Sequence, residues 1–321
     1  MTEPTPLPLP LPLPRLRRTL DRGRRRILPQ IDTGGGWTTV GESDGGAADL
    51  VPSAWTEEFE LARYERLELA DGATVLPVCP VSFRDFMLYE KHAVDAARGM
   101  ARRFLPAGYR LGQAFETLTR RTFPAYRPHR LWYAQPIYYL SNALTIVPSG
   151  VPIAPPAYSR ALDFELELGV VLGAPLRDAS PEQALAAIAA VVVVNDFSAR
   201  DVQLAEMRSG FGPQKSKHFV SSMSGTAVAG AAVADRLDRL TATVAINGET
   251  VSRTGTGGMR FSLGEAIAHV SRSEQLYPGE LLATGTLPGG SGMEVGRWLA
   301  PGDELRLEID GIGVIEHRIR P

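Results

Sequence analysis

Several stretches of the chain show the apolar and polar spacing of β-strands. Leu162–Gly169 alternates with a period of two, which predicts a strand with one polar and one apolar face. Val191–Val194 is wholly β-branched, which predicts a buried strand. Asn247–Gly248 and Asp310–Gly311 each separate two apolar runs and predict hairpin turns.

Three short helices are predicted from their capping residues. Ser180–Gln183 combines a capping serine, proline at the first helical position and glutamine three residues on, and predicts a helix to about Ala190. Ser262 with Glu265 predicts a second capped helix. Ser198–Asp201 has similar spacing and predicts a third, directly after a strand.

A longer helix is predicted over Pro80–Phe104, because the segment from Asp85 runs without proline or glycine as far as Gly99. Asp85 and His92 are seven residues apart, so on one helix they would share a face.

The N-terminal part is divided at the sequence level into a leader and a connecting region. Residues 1–30 contain alternating prolines and then arginine clusters, which predicts a disordered leader, or a docking segment for a partner or an acidic surface. It lacks the pattern of a secretory signal. Residues 31–78 are an N-terminal region that includes a loop rich in glycine and small polar residues, and residues 79–321 are the predicted catalytic domain.

Composition excludes some function classes. The 321 residues are 44% hydrophobic and carry a net charge of −2, which is typical of a globular protein and gives no basic balance that indicates nucleic-acid binding. No apolar run is long enough for a membrane span. The single cysteine, Cys79, excludes an intrachain disulfide and a cysteine-based zinc site, and a cytoplasmic location is expected.

Acidic residues in strands are the candidate chemistry. Glu165 and Glu167 would lie about 7 Å apart on one strand face, where they repel unless a cation lies between them. A solvated sheet face is the alternative. Asp196 follows the buried valine strand, where an unpaired charge is costly, so a cation, a ligand or a helix N-cap is expected there.

Five segments in this order resemble the fumarylacetoacetate hydrolase family, over roughly residues 75–321. They are Asp85-Phe with His92, Asp163-Phe-Glu165-Leu-Glu167, Asn195–Gln203, Gly212-Pro213 with Lys217 and Phe219, and Ala283–Thr286 with Glu294. The resemblance implies a mostly β, α+β fold: a mixed β-roll core with flanking short helices, after a short atypical N-terminal region. It also implies a homodimer.

The resemblance further implies a divalent cation, held by four carboxylates. Oxygen ligands suit a hard cation, so Mg²⁺ is expected, with Mn²⁺ or Ca²⁺ as alternatives. The implied ligands are Asp85, Glu165, Glu167 and Asp196.

Catalytic and substrate-binding roles are implied in the same way. His92 would be the general base that activates water, Glu294 would orient it, and Lys217 would meet developing negative charge. The implied substrate contacts are Tyr139, Arg200, Gln203 and Thr286.

The expected reaction is hydrolysis of a C–C bond in a 1,3-dicarbonyl acid such as an acylpyruvate, with the metal taking up the charge of the enolate leaving group. Alternatives within the family are an oxaloacetate-type decarboxylase, a hydratase or isomerase, and a tailoring enzyme for a larger diketone. A metal-binding scaffold without turnover is the alternative from another class.

Overall fold

The computed structural model describes residues 14–40 and 55–321. Its strands are β1 (Arg15–Asp21), β2 (Arg26–Asp32), β3 (Trp37–Thr39), β4 (Thr74–Val75), β5 (Ser82–Phe86), β6 (Tyr138–Ser141), β7 (Ile146–Pro148), β8 (Leu162–Asp163), β9 (Glu165–Leu172), β10 (Ile188–Asn195), β11 (Ser198–Ala199), β12 (Ser221–Met223), β13 (Thr226–Ala229), β14 (Thr241–Ile246), β15 (Glu249–Gly255), β16 (Glu280–Ser291), β17 (Glu304–Ile309) and β18 (Gly313–Arg318). Its α-helices are α1 (Glu57–Arg66), α2 (Glu90–Phe104), α3 (Pro106–Thr119), α4 (Arg130–Ala134), α5 (Pro181–Ala186), α6 (Arg200–Arg208), α7 (Leu263–Ser271) and α8 (Gly292–Val295).

A 12-stranded mixed sheet forms the centre of the fold, with the order β3-β2-β1-β13-β10-β9-β16-β5-β6 along its main path. Strand β9 lies between β10 and β16, antiparallel to both, and all its residues are buried. Strand β5 pairs parallel with β16 and antiparallel with β6. These pairings bring residues that are far apart in the sequence to one region of the sheet.

The main apolar core includes residues of this sheet, of the four-stranded sheet β15-β14-β17-β18, and of helices α5 and α7. Its largest fully buried members include Phe164 and Phe197. The mixture of strands and helices confirms the predicted fold class. None of the helices in the described ranges is long and apolar enough to cross a membrane.

Most short-range predictions are confirmed. The hairpins β14–β15 and β17–β18 turn at the predicted sites, and Ser180 and Ser262 form complete capping boxes. Helix α5 ends at Ala186, earlier than predicted. The predicted cap at Ser198 is wrong: Ala199 precedes α6 without a side-chain cap, and Ser198 Oγ donates to the Asp196 carbonyl, at 3.2 Å.

The helix predicted over Pro80–Phe104 is wrong in its first part. Residues 82–86 are strand β5, and the helix begins only at Glu90. Pairing with β16 and β6 satisfies the backbone of this segment, which overrides its local helical composition. Asp85 and His92 therefore do not share a helix face.

The disordered leader is also wrong for the part that the structure describes. Strands β1 and β2 form a hairpin, and β1 also pairs with β13 and β4 in the main sheet. Leu16 and Leu20 are buried there, so the hairpin contributes its own apolar contacts. Residues 1–13, with the proline-leucine repeat, and residues 41–54 lie outside the described residues. The boundaries at residues 30 and 78 stay a prediction.

Candidate active site

Four carboxylates that the sequence singled out lie together in the main sheet. Glu165 and Glu167 are on β9, Asp196 follows β10, and Asp85 is on β5. None is more than 4% exposed, so the predicted alternative of a solvated sheet face is wrong. Their charges act on one another strongly enough to shift pKa values, as described next. We call these four residues the carboxylate centre.

Two basic side chains reach one side of the carboxylate centre. Lys217 Nζ donates to Glu165 and, at 2.6 Å, to Asp196 Oδ2. Arg200 Nη2 donates to Glu165 Oε1 at 2.6 Å. Burial alone would raise the pKa of Glu165, but Arg200 and Lys217 outweigh it and lower that pKa below its usual range.

Asp85 and Glu167 are compensated less completely, because the favourable effect of Lys217 on each is outweighed by burial and by the neighbouring carboxylates. Asp85 Oδ1 and Glu167 Oε2 are buried, and no described residue donates a hydrogen bond to either atom. Burial raises the pKa of Asp85 well above its usual value, and the charge of Asp196 raises it further. Burial and the charge of Asp85 do the same to Glu167. Such a site favours either protonation or an added cation.

The donor chemistry of the centre fits a hard divalent cation, because every available ligand is an oxygen and two oxygens are without a donor. Within residues 14–40 and 55–321, no three acidic, histidine or cysteine side chains are already arranged as a ligand set. The ammonium of Lys217 instead holds Glu165 and Asp196. The four predicted ligands are thus brought together, and their ligation of a metal stays a prediction.

His92 and Glu294 form a buried pair beside the centre. His92 Nδ1 lies 2.9 Å from Glu294 Oε2, and His92 Nε2 lies 4.0 Å from Glu165 Oε1. Burial lowers the pKa of His92, but Glu294 outweighs this effect and the net shift is upward. One ring nitrogen thus lies within ion-pair distance of a carboxylate and the other lies nearer the carboxylate centre, an arrangement that suits a general base.

Glu294 is itself held in place. Ser291 Oγ donates to its Oε2 at 2.8 Å, and the backbone N–H of Gly289 donates to its Oε1 at 2.9 Å. These residues lie where two elements meet, because β16 continues to Ser291 and helix α8 follows at once.

The predicted substrate contacts divide into two kinds. Tyr139 OH donates to Asp196 Oδ2 at 2.5 Å, and Thr286 Oγ1 donates to Glu167 Oε1 at 3.4 Å, so both touch the carboxylate centre. Arg200 is 1% exposed, and its Nη1 donates to Gln203 Oε1 at 2.9 Å. Arg200 is therefore a buried hydrogen-bond donor to Glu165, and Gln203 accepts a second hydrogen bond from the same guanidinium.

Three further residues support the site without having been predicted as site residues. Asp163 accepts from Arg200 Nε at 2.8 Å and from the backbone N–H of Met293 at 3.1 Å. Ser221 Oγ donates to Asp196 Oδ1 at 3.0 Å, and Ser291 holds Glu294. Asp163 continues the alternation of acids in the sequence, although it lies on β8 and the two glutamates lie on β9, whereas the two serines carry no signal in the sequence.

A family profile described as fumarylacetoacetate (FAA) hydrolase C-terminal matches residues 109–320. The chain belongs to the fumarylacetoacetate hydrolase family. The members that resemble it are enzymes of several kinds, namely hydrolase, isomerase, decarboxylase and tautomerase, and enzymes of this family generally use a divalent metal ion.

Curated relatives in this family include two with different activities. The human mitochondrial oxaloacetate tautomerase FAHD2A is 32% identical over 186 residues, which is 58% of this chain and 59% of that protein. The 4-hydroxyphenylacetate degradation bifunctional isomerase/decarboxylase of Escherichia coli is 28% identical over 247 residues, 70% of this chain and 55% of the relative. This chain thus matches under two thirds of either relative's length.

Solved structures extend the likeness to most of the chain. A Mycobacterium smegmatis protein assigned as HpcE has a TM-score of 0.64 at 26% identity, covering 96% of this chain and 100% of that one. A Burkholderia cenocepacia protein assigned as a fumarylpyruvate hydrolase has a TM-score of 0.54 at 26% identity, covering 74% and 88%.

Proposed function

We propose that this protein is a metal-dependent hydrolase that cleaves a C–C bond in an acylpyruvate-like 1,3-dicarbonyl acid. The observation that carries the proposal is the His92–Glu294 pair, because Nδ1 lies 2.9 Å from Glu294 Oε2 while Nε2 lies 4.0 Å from Glu165 Oε1 in the carboxylate centre. Hydrolysis needs an activated water, and decarboxylation does not.

The carboxylate centre would hold the cation through Asp85, Glu165, Glu167 and Asp196, and Mg²⁺ is proposed ahead of Mn²⁺ or Ca²⁺. When bound, a divalent cation would act as a Lewis acid and offset the negative charge that develops on the dicarbonyl oxygens.

The protein's own groups would do the rest. His92 Nε2 would take a proton from a water that attacks the carbonyl carbon, while Glu294 keeps the ring oriented and stabilises its protonated form. The C–C bond would then break with its electron pair leaving as an enolate, and the enolate carbon would take up a proton. Lys217 would turn from its carboxylate partners towards a substrate oxygen, and Tyr139 would donate to another. Arg200 is proposed as a support for Glu165, which refines its predicted role as a substrate contact.

Oxaloacetate chemistry is the second candidate, favoured by the tautomerase among the relatives. Oxaloacetate is also a 1,3-dicarbonyl acid, so the same cation and the same Lys217 contact would serve it. In that case His92 would remove a proton from the substrate carbon, or return one to it, instead of removing a proton from water.

Turnover of acetylpyruvate, fumarylpyruvate and oxaloacetate, followed by ultraviolet absorbance with Mg²⁺ and with a chelator, tests the proposal. We expect Mg²⁺-dependent loss of an acylpyruvate that is abolished in His92→Asn. Oxaloacetate turnover that survives His92→Asn, without acylpyruvate cleavage, would overturn it. A homodimer and a cytoplasmic location remain predictions, which size-exclusion chromatography with light scattering and cell fractionation would check.

A further inference from the structure

The pairing of His92 with Glu294 depends on how closely two helices approach. His92 lies near the start of α2, and Glu294 lies on α8, a helix of a single turn. A helix this short is not stable by itself, so its position has to come from contacts with its surroundings.

The two helices approach each other closely at a glycine of α2. A Cβ built on Gly99 would lie 2.2 Å from the backbone carbonyl oxygen of Met293 and 2.8 Å from its Cγ. Gly99 is seven residues from His92, so both face the same side of α2. The backbone of α2 therefore meets the backbone of α8 one residue before Glu294.

Glycine is an unfavourable choice at this position unless the close approach is needed. In a helix interior, glycine costs about 1 kcal/mol relative to alanine. Gly99 is buried in the middle of α2, where its neighbours are alanine, methionine and arginine. The missing side chain is explained by the Met293 carbonyl, which leaves no room for a methyl group.

Two polar contacts hold α8 against this glycine. Arg102 Nη2 donates to the Met293 carbonyl at 3.4 Å. The same nitrogen also packs closely against Gly296, where a Cβ would lie 2.8 Å from it. From the other side, the Met293 N–H donates to Asp163 Oδ2 at 3.1 Å, and Asp163 is fixed by Arg200. Residue 293 is thus held from two directions, and Glu294 follows it directly.

We infer that Gly99 is a positioning residue for the His92–Glu294 pair, and that Arg102 assists it. An alanine at position 99 must move the Met293 carbonyl by nearly 1 Å, because carbon–oxygen contacts much below about 3 Å are strongly repulsive. Glu294 would move with it. A displacement of about 1 Å in a catalytic group can cost about 10²-fold in rate. This inference rests on the proposed function for its kinetic part only.

Gly99→Ala should therefore lower kcat for the acylpyruvate about 10²-fold, while KM and the affinity for Mn²⁺ change less than about threefold. Gly108→Ala is the matched control, since the nearest atom to a Cβ there is Leu105 Cβ at 4.0 Å, and it should leave kcat unchanged. In a Glu294→Gln background, which keeps His92 but removes the carboxylate of the pair, Gly99→Ala should cause no further loss, because the pair is already broken. Equal losses in the two backgrounds, or an unchanged kcat, would overturn the inference.

Hydrogen exchange supplies a readout that does not need a substrate. The amide of Gly296 donates to the Gly292 carbonyl at 2.7 Å, so peptides covering 288–297 report on α8. We expect faster exchange there in Gly99→Ala and not in Gly108→Ala. Unchanged exchange would count against the inference even if the wild type turned over none of the substrates, an outcome that would sink only the proposed reaction.

Arg102→Met keeps the test decisive if Gly99→Ala does not fold. Arg102 is exposed, so its replacement should leave the fold intact. We expect faster exchange over 288–297 and a smaller loss of kcat, about threefold, with rescue by Arg102→Lys. No change in either quantity would contradict a role for the α2–α8 contact.

Discussion

Two buried polar clusters of this protein differ in whether their charges are compensated. In the N-terminal cluster, Arg18 donates to Glu60, to the Leu76 carbonyl at 2.7 Å and to Cys79 Sγ at 3.1 Å, and Tyr64 donates to Glu60 at 3.4 Å. Arg18 and Glu60 there form a buried ion pair at 2.9 Å.

The carboxylate centre contrasts with it. Lys217 and Arg200 satisfy Glu165 and Asp196, but Asp85 and Glu167 retain buried oxygens without a donor among the described residues. Evolution retains uncompensated buried charge chiefly where a ligand supplies the missing partner. From this comparison we expect the first cluster to stabilise the fold, and we propose that the second binds the cation and the substrate.

The largest expected effect is loss of activity in Glu165→Gln. This change removes the charge that Lys217, Arg200 and the proposed cation share, so turnover should fall about 10³-fold. The measurement is kcat/KM for the acylpyruvate with saturating Mg²⁺. Glu60→Gln is the control from the N-terminal cluster, and its turnover per folded molecule should match the wild type. A similar loss in both variants would remove the distinction between the clusters.

Arg18→Met should have the largest effect on stability. Replacing Arg18 removes the guanidinium of its buried ion pair with Glu60, and breaking a buried pair costs about 3–5 kcal/mol of unfolding free energy. Chemical denaturation followed by tryptophan fluorescence measures this loss. A change below about 1 kcal/mol would show that the N-terminal cluster is not a stabilising element.

Asp85→Asn should act in the opposite direction on stability. The folded-state pKa of Asp85 is raised by burial and by Asp196, so its contribution to stability is present at low pH and is lost as pH rises through that pKa. The metal-free variant should be about 1–2 kcal/mol more stable than the metal-free wild type near pH 8. Thermal unfolding with a chelator checks this.

Added Mg²⁺ sharpens the same comparison. It should raise the unfolding temperature of the wild type, and more so at higher pH, while leaving Asp85→Asn nearly unchanged. A variant that is less stable than the wild type in chelator, and still responds to Mg²⁺, would mean that Asp85 is a structural acid.

His317 should give the smallest effect. Burial lowers the pKa of His317 to about 4, and its Nδ1 lies 2.7 Å from the Val151 carbonyl. At His317 the unfolded chain therefore takes up a proton below about pH 6.5, whereas the folded protein does not. Stability consequently decreases as the pH is lowered. Between about pH 7 and pH 5.5 the loss should be about 1 kcal/mol. His317→Gln should remove this part of the pH dependence of urea unfolding.

Local signals in the sequence predicted the elements that local interactions determine. Both hairpin turns depend on residues that tolerate a left-handed backbone, and Asn247 and Gly311 have φ values of 54° and 75°. The capping boxes likewise involve only neighbouring residues. Strand β5 was missed because its pairing partners, β16 and β6, lie far away in the sequence.

The sequence predicted which residues form the candidate site, but not how their side chains contact one another. The family motifs named the four acids, His92, Glu294 and Lys217, and the structure brings them together. Residue spacing does not determine side-chain geometry. It could not predict that Lys217 pairs with two acids or that Arg200 pairs with Glu165. The supporting serines, Ser221 and Ser291, carry no distinguishing pattern at all.

The most direct test of the account is hydrolysis of an acylpyruvate in ¹⁸O-labelled water with Mg²⁺, with mass spectrometry of the acid that derives from the acyl group. If His92 activates water, that acid carries one ¹⁸O atom in its carboxylate, and its formation is lost in His92→Asn while Mn²⁺ affinity is retained. If no acid forms and the enzyme only exchanges the carbon-bound protons of oxaloacetate with solvent, the hydrolase account is contradicted and the protein is a tautomerase.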